Sequence, residues 1–166
     1  SIDDVQTMIQ MVADNGIFFE TKKDYATDMV TGLIKLNGNT VGVVANNADL
    51  LTSKGAVKAA EFVNLCDAFS IPVVSFTNVT GYDTTMCEEK KLAKATAKLT
   101  YSFANATTPK INVITANAIG SAYVVMNSKS IGADMVYAWS DAKIGMMNAE
   151  SAAKIIYADE IAKADN

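Results

Sequence analysis

The chain has 166 residues, half of them apolar, with 14 basic and 18 acidic side chains and a net charge of -4. That length and composition suit one globular domain spanning 1–166 with a core of ordinary size, and exclude a disordered chain. There is no histidine, and all 14 basic residues are lysine, so the usual base of a Ser/His/Asp triad, the usual metal ligand and the guanidinium fork are missing. An acidic balance without a basic stripe argues against a nucleic-acid partner. No apolar run reaches membrane-span length, and Ser1-Ile2-Asp3-Asp4 has no basic leader character, so a soluble protein is expected. Cys66 and Cys87 lack ligand-like spacing and read as reduced thiols of a cytoplasmic protein, with neither a disulfide nor a zinc site.

Residues 3–13 carry Val5, Met8, Ile9 and Val12 at helical spacing behind an acidic start, which predicts a short amphipathic helix ended by Asn15-Gly16. Residues 17–20 look extended. Two strand-like runs, 28–36 and 40–45, meet at Asn37-Gly38-Asn39, a hairpin signal. A helical pattern over 54–69 precedes Pro72 and a strand at 73–76; a second over about 88–106 precedes Pro109 and a strand at 111–115. Each proline stops a helix and opens a buried strand, and each strand leads to a glycine turn, at Gly81 and at Gly120. A third unit is expected from a strand at 133–138, a run to Gly145 and a helix over about 149–157. Helices between successive strands imply parallel pairing in an α/β domain, as either a spiral of ββα units or a doubly wound sheet.

The most informative stretch is 112–126, an apolar strand that turns at Gly120-Ser121-Ala122 into a helix-like run reaching Asn127. A helix starting there exposes unpaired backbone N–H groups, the makings of an oxyanion hole, although the same small residues also suit close packing of helix on sheet. Ser121 with Lys129 is a weaker candidate: the run Asn127-Ser128-Lys129-Ser130 reads as exposed, where the lysine would keep its proton. Glu88 and Glu89 beside Lys90 and Lys91 read as a charged helix start facing water, and the eight methionines as core filler.

Several segments together resemble a family. Asp28-Met-Val-Thr-Gly-Leu-Ile-Lys-Leu-Asn-Gly, Val41-Gly-Val-Val-Ala-Asn, Ala59-Ala-Glu-Phe-Val-Asn-Leu-Cys-Asp-Ala-Phe-Ser-Ile-Pro-Val-Val, Ala122-Tyr-Val-Val-Met-Asn-Ser-Lys-Ser-Ile-Gly-Ala-Asp-Met-Val-Tyr-Ala-Trp and Ala149-Glu150 stand in the order found in the C-terminal half of biotin-dependent acyl-CoA carboxyltransferases. These are the β subunits of propionyl-CoA and acetyl-CoA carboxylases and the related acyl-CoA decarboxylase subunits. The resemblance covers about 18–161.

The resemblance implies a crotonase-like ββα spiral in which the family's Gly-Gly-Ala turn falls on Gly120-Ser121-Ala122. In that family the last two backbone N–H groups of the turn stabilise the enolate oxygen formed on biotin as carboxybiotin gives up its carboxyl group. Here they would be those of Ser121 and Ala122, with Gly81 and Gly120 shaping the biotin pocket and Val124 bordering the acyl group. The released biotin enolate can itself take the acyl-CoA proton, which fits the missing histidine. The sequence departs from the family at Val79-Thr80-Gly81-Tyr82, where Pro-Gly-Phe is usual. It departs again from Glu88 onward, where glycines, arginine and histidine are usual, and at Met147-Asn-Ala-Glu-Ser-Ala. The chain resembles only the second half of such an enzyme and lacks the helical tail usual after Ile161. It is therefore expected to need an acyl-CoA-binding N-terminal half and a biotin carrier protein, within a homo- or hetero-oligomer. The alternative expectation is a noncatalytic assembly module of a carboxylase or decarboxylase complex.

Overall fold

A computed structural model describes residues 4–84 and 89–147, with Ala152 and Lys154. Cys87, Glu88, the 148–151 part of the divergent motif and most of the expected helix over 149–157 lie outside the described residues.

Asp4 caps α1 (Val5–Val12), its carboxylate accepting from the N–H groups of Gln6 and Thr7, and the helix buries Met8 and Ile9. After β1 (Phe19–Thr21), β2 (Met29–Leu36) and β3 (Asn39–Asn46) form the expected hairpin. Asn37 and Gly38 take φ of 50° and 80°, the two positive values that a tight hairpin turn demands. Asp14 accepts from both of their N–H groups. The chain continues through β4 (Leu50–Leu51), α2 (Ser53–Ala68), β5 (Val73–Val79), β6 (Gly81–Tyr82) and α3 (Glu89–Asn105). It ends its described part with β7 (Lys110–Ile119), α4 (Gly120–Val124), β8 (Met135–Ala138) and β9 (Lys143–Gly145).

The strands lie in the order β1-β2-β3-β5-β7-β8; the first two pairings are antiparallel and the rest parallel. A doubly wound sheet reverses its strand order at a switch point, and this order never reverses. Instead each turn of chain adds a long strand, a short strand and a helix: β3-β4-α2, then β5-β6-α3. The short strands pair with each other, Leu50 opposite Gly81 and Leu51 opposite Tyr82. In the third turn β7 supplies both, running past a register shift to pair its far end with β9. The pairing therefore resolves the two readings in favour of the ββα spiral.

Both faces of β3, in the middle of the sheet, are covered. Val41, Val43 and Ala45 of β3 pack with α1, whereas Val44 points to Ala56, Ala59 and Val63 of α2 and Leu99 and Phe103 of α3. Gly42 sits where α2 lies closest: a Cβ there would stand 2.5 Å from Cys66 Sγ and 3.2 Å from the Phe62 ring. Gly42→Ala should therefore destabilise the fold by about 1–3 kcal/mol through overpacking. Adding Cys66→Ala should return part of that loss, read as a shift of the urea midpoint at constant slope.

Three expectations are corrected. β4, β6 and β9 were not foreseen, because two or three residues carry no periodicity. The run after Gly120 leaves the helix at Val124 and does not reach Asn127 as one, since Asn127 takes a left-handed φ of 60°. Of the described methionines only Met8, Met29 and Met126 fill the core; Met11, Met135, Met146 and Met147 are exposed, and Met86 lies outside the described residues.

Candidate active site

The corner between β7 and α4 is built around Gly120, whose φ of 65° lies in the left-handed region. Ile119 before it is extended, so the chain turns from strand to helix across one residue. The N–H groups of Ser121 and Ala122, in the first turn, have no intrahelical acceptor, and among the described residues none outside the helix claims them. Ala122 itself is 1% exposed and packs with Val125 and Met126 in the main core, so the corner is fixed from behind.

A buried polar network holds the chain leaving α4. The Asn112 amide oxygen accepts from Ser75 Oγ at 3.1 Å and Thr77 Oγ1 at 2.7 Å, while its nitrogen donates to the Met126 carbonyl at 3.2 Å. Asn127 Nδ2 donates to Ser75 Oγ and to the Ile111 carbonyl. Asn127 and Ser128 are thus buried, which corrects the expectation of an exposed polar run; only Lys129 and Ser130 reach solvent. No hydrogen bond joins Lys129 to Ser121 among the described residues, so a Ser/Lys dyad has no geometric support.

In front of the corner lies a cavity of about 230 Å3, bordered by Gly81, Tyr82, Gly120, Ser121, Ala122 and the exposed Met146. The structure thus brings Gly81, Gly120, Ser121 and Ala122 together. Val124 is 38% exposed and is not one of the residues lining this cavity. Tyr82, not foreseen as a site residue, is half-buried; burial pushes its hydroxyl above the usual phenol range while a hydrogen bond with Ser121 opposes the shift. It therefore stays protonated at neutral pH and can donate. The only sequence signal for it was its place one residue after the Gly81 turn. Among the described residues no carboxylate lines the cavity, and no group of three or more metal-ligating side chains occurs.

A ββα spiral with a left-handed glycine opening a short helix beside two unclaimed N–H groups defines a crotonase-like protein with a backbone-donor site. Comparison with known proteins narrows that class. The sequence profile of the carboxyl transferase domain matches residues 3–166, and the chain belongs to that family. It is 40% identical over 168 residues to the methylmalonyl-CoA carboxyltransferase 12S subunit of Propionibacterium freudenreichii subsp. shermanii, covering 98% of this chain and 32% of the relative. It is 44% identical over 155 residues to the mitochondrial propionyl-CoA carboxylase beta chain of Rattus norvegicus, covering 90% and 29%. The crystal structure of the transcarboxylase 12S hexamer, with methylmalonyl-coenzyme A and methylmalonic acid bound, superposes with a TM-score of 0.90 at 40% identity over 98% of this chain and 32% of that one. The beta subunit of geranyl-CoA carboxylase from P. aeruginosa gives 0.88 at 25% identity, over 96% and 31%. The chain spans about a third of the length of these relatives.

Proposed function

We propose that this chain is the biotin-side half of an acyl-CoA carboxyltransferase, a single domain that moves a carboxyl group between carboxybiotin and an acyl-CoA. The observation that carries this reading is the Gly120 corner, with the N–H groups of Ser121 and Ala122 facing a cavity that, among the described residues, no carboxylate lines. When bound, biotin supplies the transferable carboxyl group and an oxygen that gains negative charge as that group departs. Two convergent N–H donors suit such an oxygen. The donors are fixed in advance, since Ala122 is locked in the core and the Asn112 network holds the segment behind it. The Tyr82 and Ser121 hydroxyls border the same space and can exclude or orient water there.

The cavity's size also favours a half-site. At about 230 Å3 it falls below the ~300 Å3 at which ligand pockets begin, so it suits a ring and not a whole acyl-CoA. The acyl-CoA would come on an N-terminal carboxyltransferase half and the biotin on a carrier protein, within an oligomer. A direct test is biotin-dependent decarboxylation of malonyl-CoA or methylmalonyl-CoA, first with the chain alone and then with an N-terminal half added. Activity is expected only in the mixture. Silence from a complex shown to be folded and assembled would instead make the chain a noncatalytic assembly module.

A further inference from the structure

The cavity in front of the Gly120 corner is bordered by two hydroxyl side chains, Tyr82 and Ser121, that the backbone donors do not account for. Both stand where this chain departs from the family pattern: tyrosine where Phe is usual after Gly81, and serine where the second residue of the turn is usually glycine. They come from different elements, each fixed in place. Tyr82 lies opposite Leu51 in the pairing of β6 with β4, and the flanking N–H groups of Thr80 and Asp83 donate to the Asp49 and Leu51 carbonyls at 2.7 and 3.0 Å. Its ring packs against the main core, which anchors the side chain while it still borders the cavity. Ser121 stands in α4 next to Ala122, which is locked in the same core.

Each hydroxyl carries one proton, and the hydrogen bond between them uses only one of the pair. That bond favours the charged form of the phenol, as a donor to it does, so Ser121 donates and the Tyr82 proton is the spare one. No further partner claims it among the described residues. Among those residues no lysine or carboxylate lines the cavity to take the proton away, and burial holds the phenol above its usual range. The Tyr82 O–H is therefore a hydrogen-bond donor and not an acid, and the bond it accepts from Ser121 strengthens it in that role. It borders the space that the N–H groups of Ser121 and Ala122 already face. An oxygen gaining negative charge there has a lone pair to spare beyond two backbone donors, and a tyrosine hydroxyl suits it.

We propose that Tyr82 is a side-chain donor of this oxyanion hole, its phenol O–H reaching the ureido oxygen of biotin beside the two backbone N–H groups, with the Ser121 hydroxyl as the positioning residue that aims it. The inference rests on the carboxyltransferase reading and adds to it a side chain that binds the same oxygen. Biotin and 2-thiobiotin, in which sulfur replaces the ureido oxygen, separate a bond to that oxygen from general packing. Both are titrated by ligand-observed NMR against the chain assembled with an N-terminal half, so that the readout is affinity and not transfer. Tyr82→Phe keeps the ring that packs in the core. It is expected to weaken biotin about three- to tenfold, the scale of one hydrogen bond, while changing 2-thiobiotin less than about twofold. Ser121→Gly is expected to weaken biotin only about twofold and to have no added effect once Tyr82→Phe is in place, because it acts through Tyr82. Equal weakening of both ligands by Tyr82→Phe would assign the ring to packing and overturn the proposal, as would undiminished biotin binding by that variant. A full effect of Ser121→Gly in the Tyr82→Phe background would overturn the part given to Ser121. These results would leave the backbone donors and the carboxyltransferase reading standing, whereas a parent assembly that binds no biotin would overturn both.

Discussion

Lys58→Ala is expected to be the most destabilising single substitution away from the candidate site, with a loss on the order of 3–6 kcal/mol of folding free energy. Lys58 is 1% exposed, though it lies in the middle of α2. Its ammonium donates to the carbonyls of Met29 at 2.6 Å, Tyr25 at 2.7 Å and Ala26 at 3.4 Å, so all three of its protons have partners. Tyr25 and Ala26 belong to the loop between β1 and β2 and Met29 opens β2; in that loop Lys22 and Ala26 take positive φ and the chain wraps around the cation. The Ala26 carbonyl keeps the Met29 N–H as a donor, so removing the side chain takes the ammonium from the Tyr25 and Met29 carbonyls, the latter buried, at about 1–3 kcal/mol for each one left unpaired. Lys58→Met keeps the stem and loses only the ammonium, so a similar loss in both variants would assign the effect to the hydrogen bonds and not to packing. Urea unfolding reads the result; a change below about 0.5 kcal/mol, the scale of an ordinary surface substitution, would contradict it. The pH dependence has a defined sign. Burial pushes Lys58 below its ordinary 10.5, against the pull of Glu20 and Asp28, so the folded chain holds fewer protons there than the unfolded one. Its contribution to stability therefore rises with pH in the window below 10.5 and is complete above it.

Lys58 also shows why part of this protein was legible in its sequence and part was not. Punctuation was readable because it acts locally: Asn37-Gly38 makes its turn wherever it stands, and Pro72 and Pro109 end helices and open strands by their own ring geometry. Gly120 was readable for the same reason, a glycine closing an apolar run before a helix. The burial of a polar residue is not local. Lys58 sits in a helical pattern where lysine ordinarily faces water, and only the loop at Tyr25, Ala26 and Met29 makes it interior. Asn127 and Ser128 looked like a solvent-facing run for want of Ser75 and Ile111, which lie 52 and 16 residues from Asn127 and receive its amide. The same holds at the site: the residues of the corner could be named from the sequence, but Tyr82 joins them only through the pairing of β4 with β6.

If the chain is the biotin-side half of a carboxyltransferase, the corner is where a substitution costs most transfer. Gly120→Val should lower carboxyl transfer in the reconstituted enzyme by about 10²–10³-fold in kcat, the scale of losing one oxyanion donor, with little change in KM. A β-branched residue resists a φ of 65°, and its Cβ would stand 3.2 Å from the Met146 carbonyl oxygen. The backbone must rotate to relieve both, and the N–H groups of Ser121 and Ala122 lose their common aim. Gly120→Ala meets the same contact with less steric bulk and should fall between the parent and the valine variant. Ser121→Gly separates backbone from side chain, because it removes the hydroxyl and keeps the N–H; transfer within a few-fold of the parent is expected. Should Ser121→Gly prove as damaging as Gly120→Val, the hydroxyl pair of Ser121 and Tyr82 would be the group that acts, and the backbone reading of this corner would fail. Thermal unfolding of each variant guards the inference, since strain at one glycine costs only about 1–2 kcal/mol and leaves the spiral folded. A large loss of transfer in a folded chain then belongs to the aim of two N–H groups, which is what this strand-to-helix corner fixes.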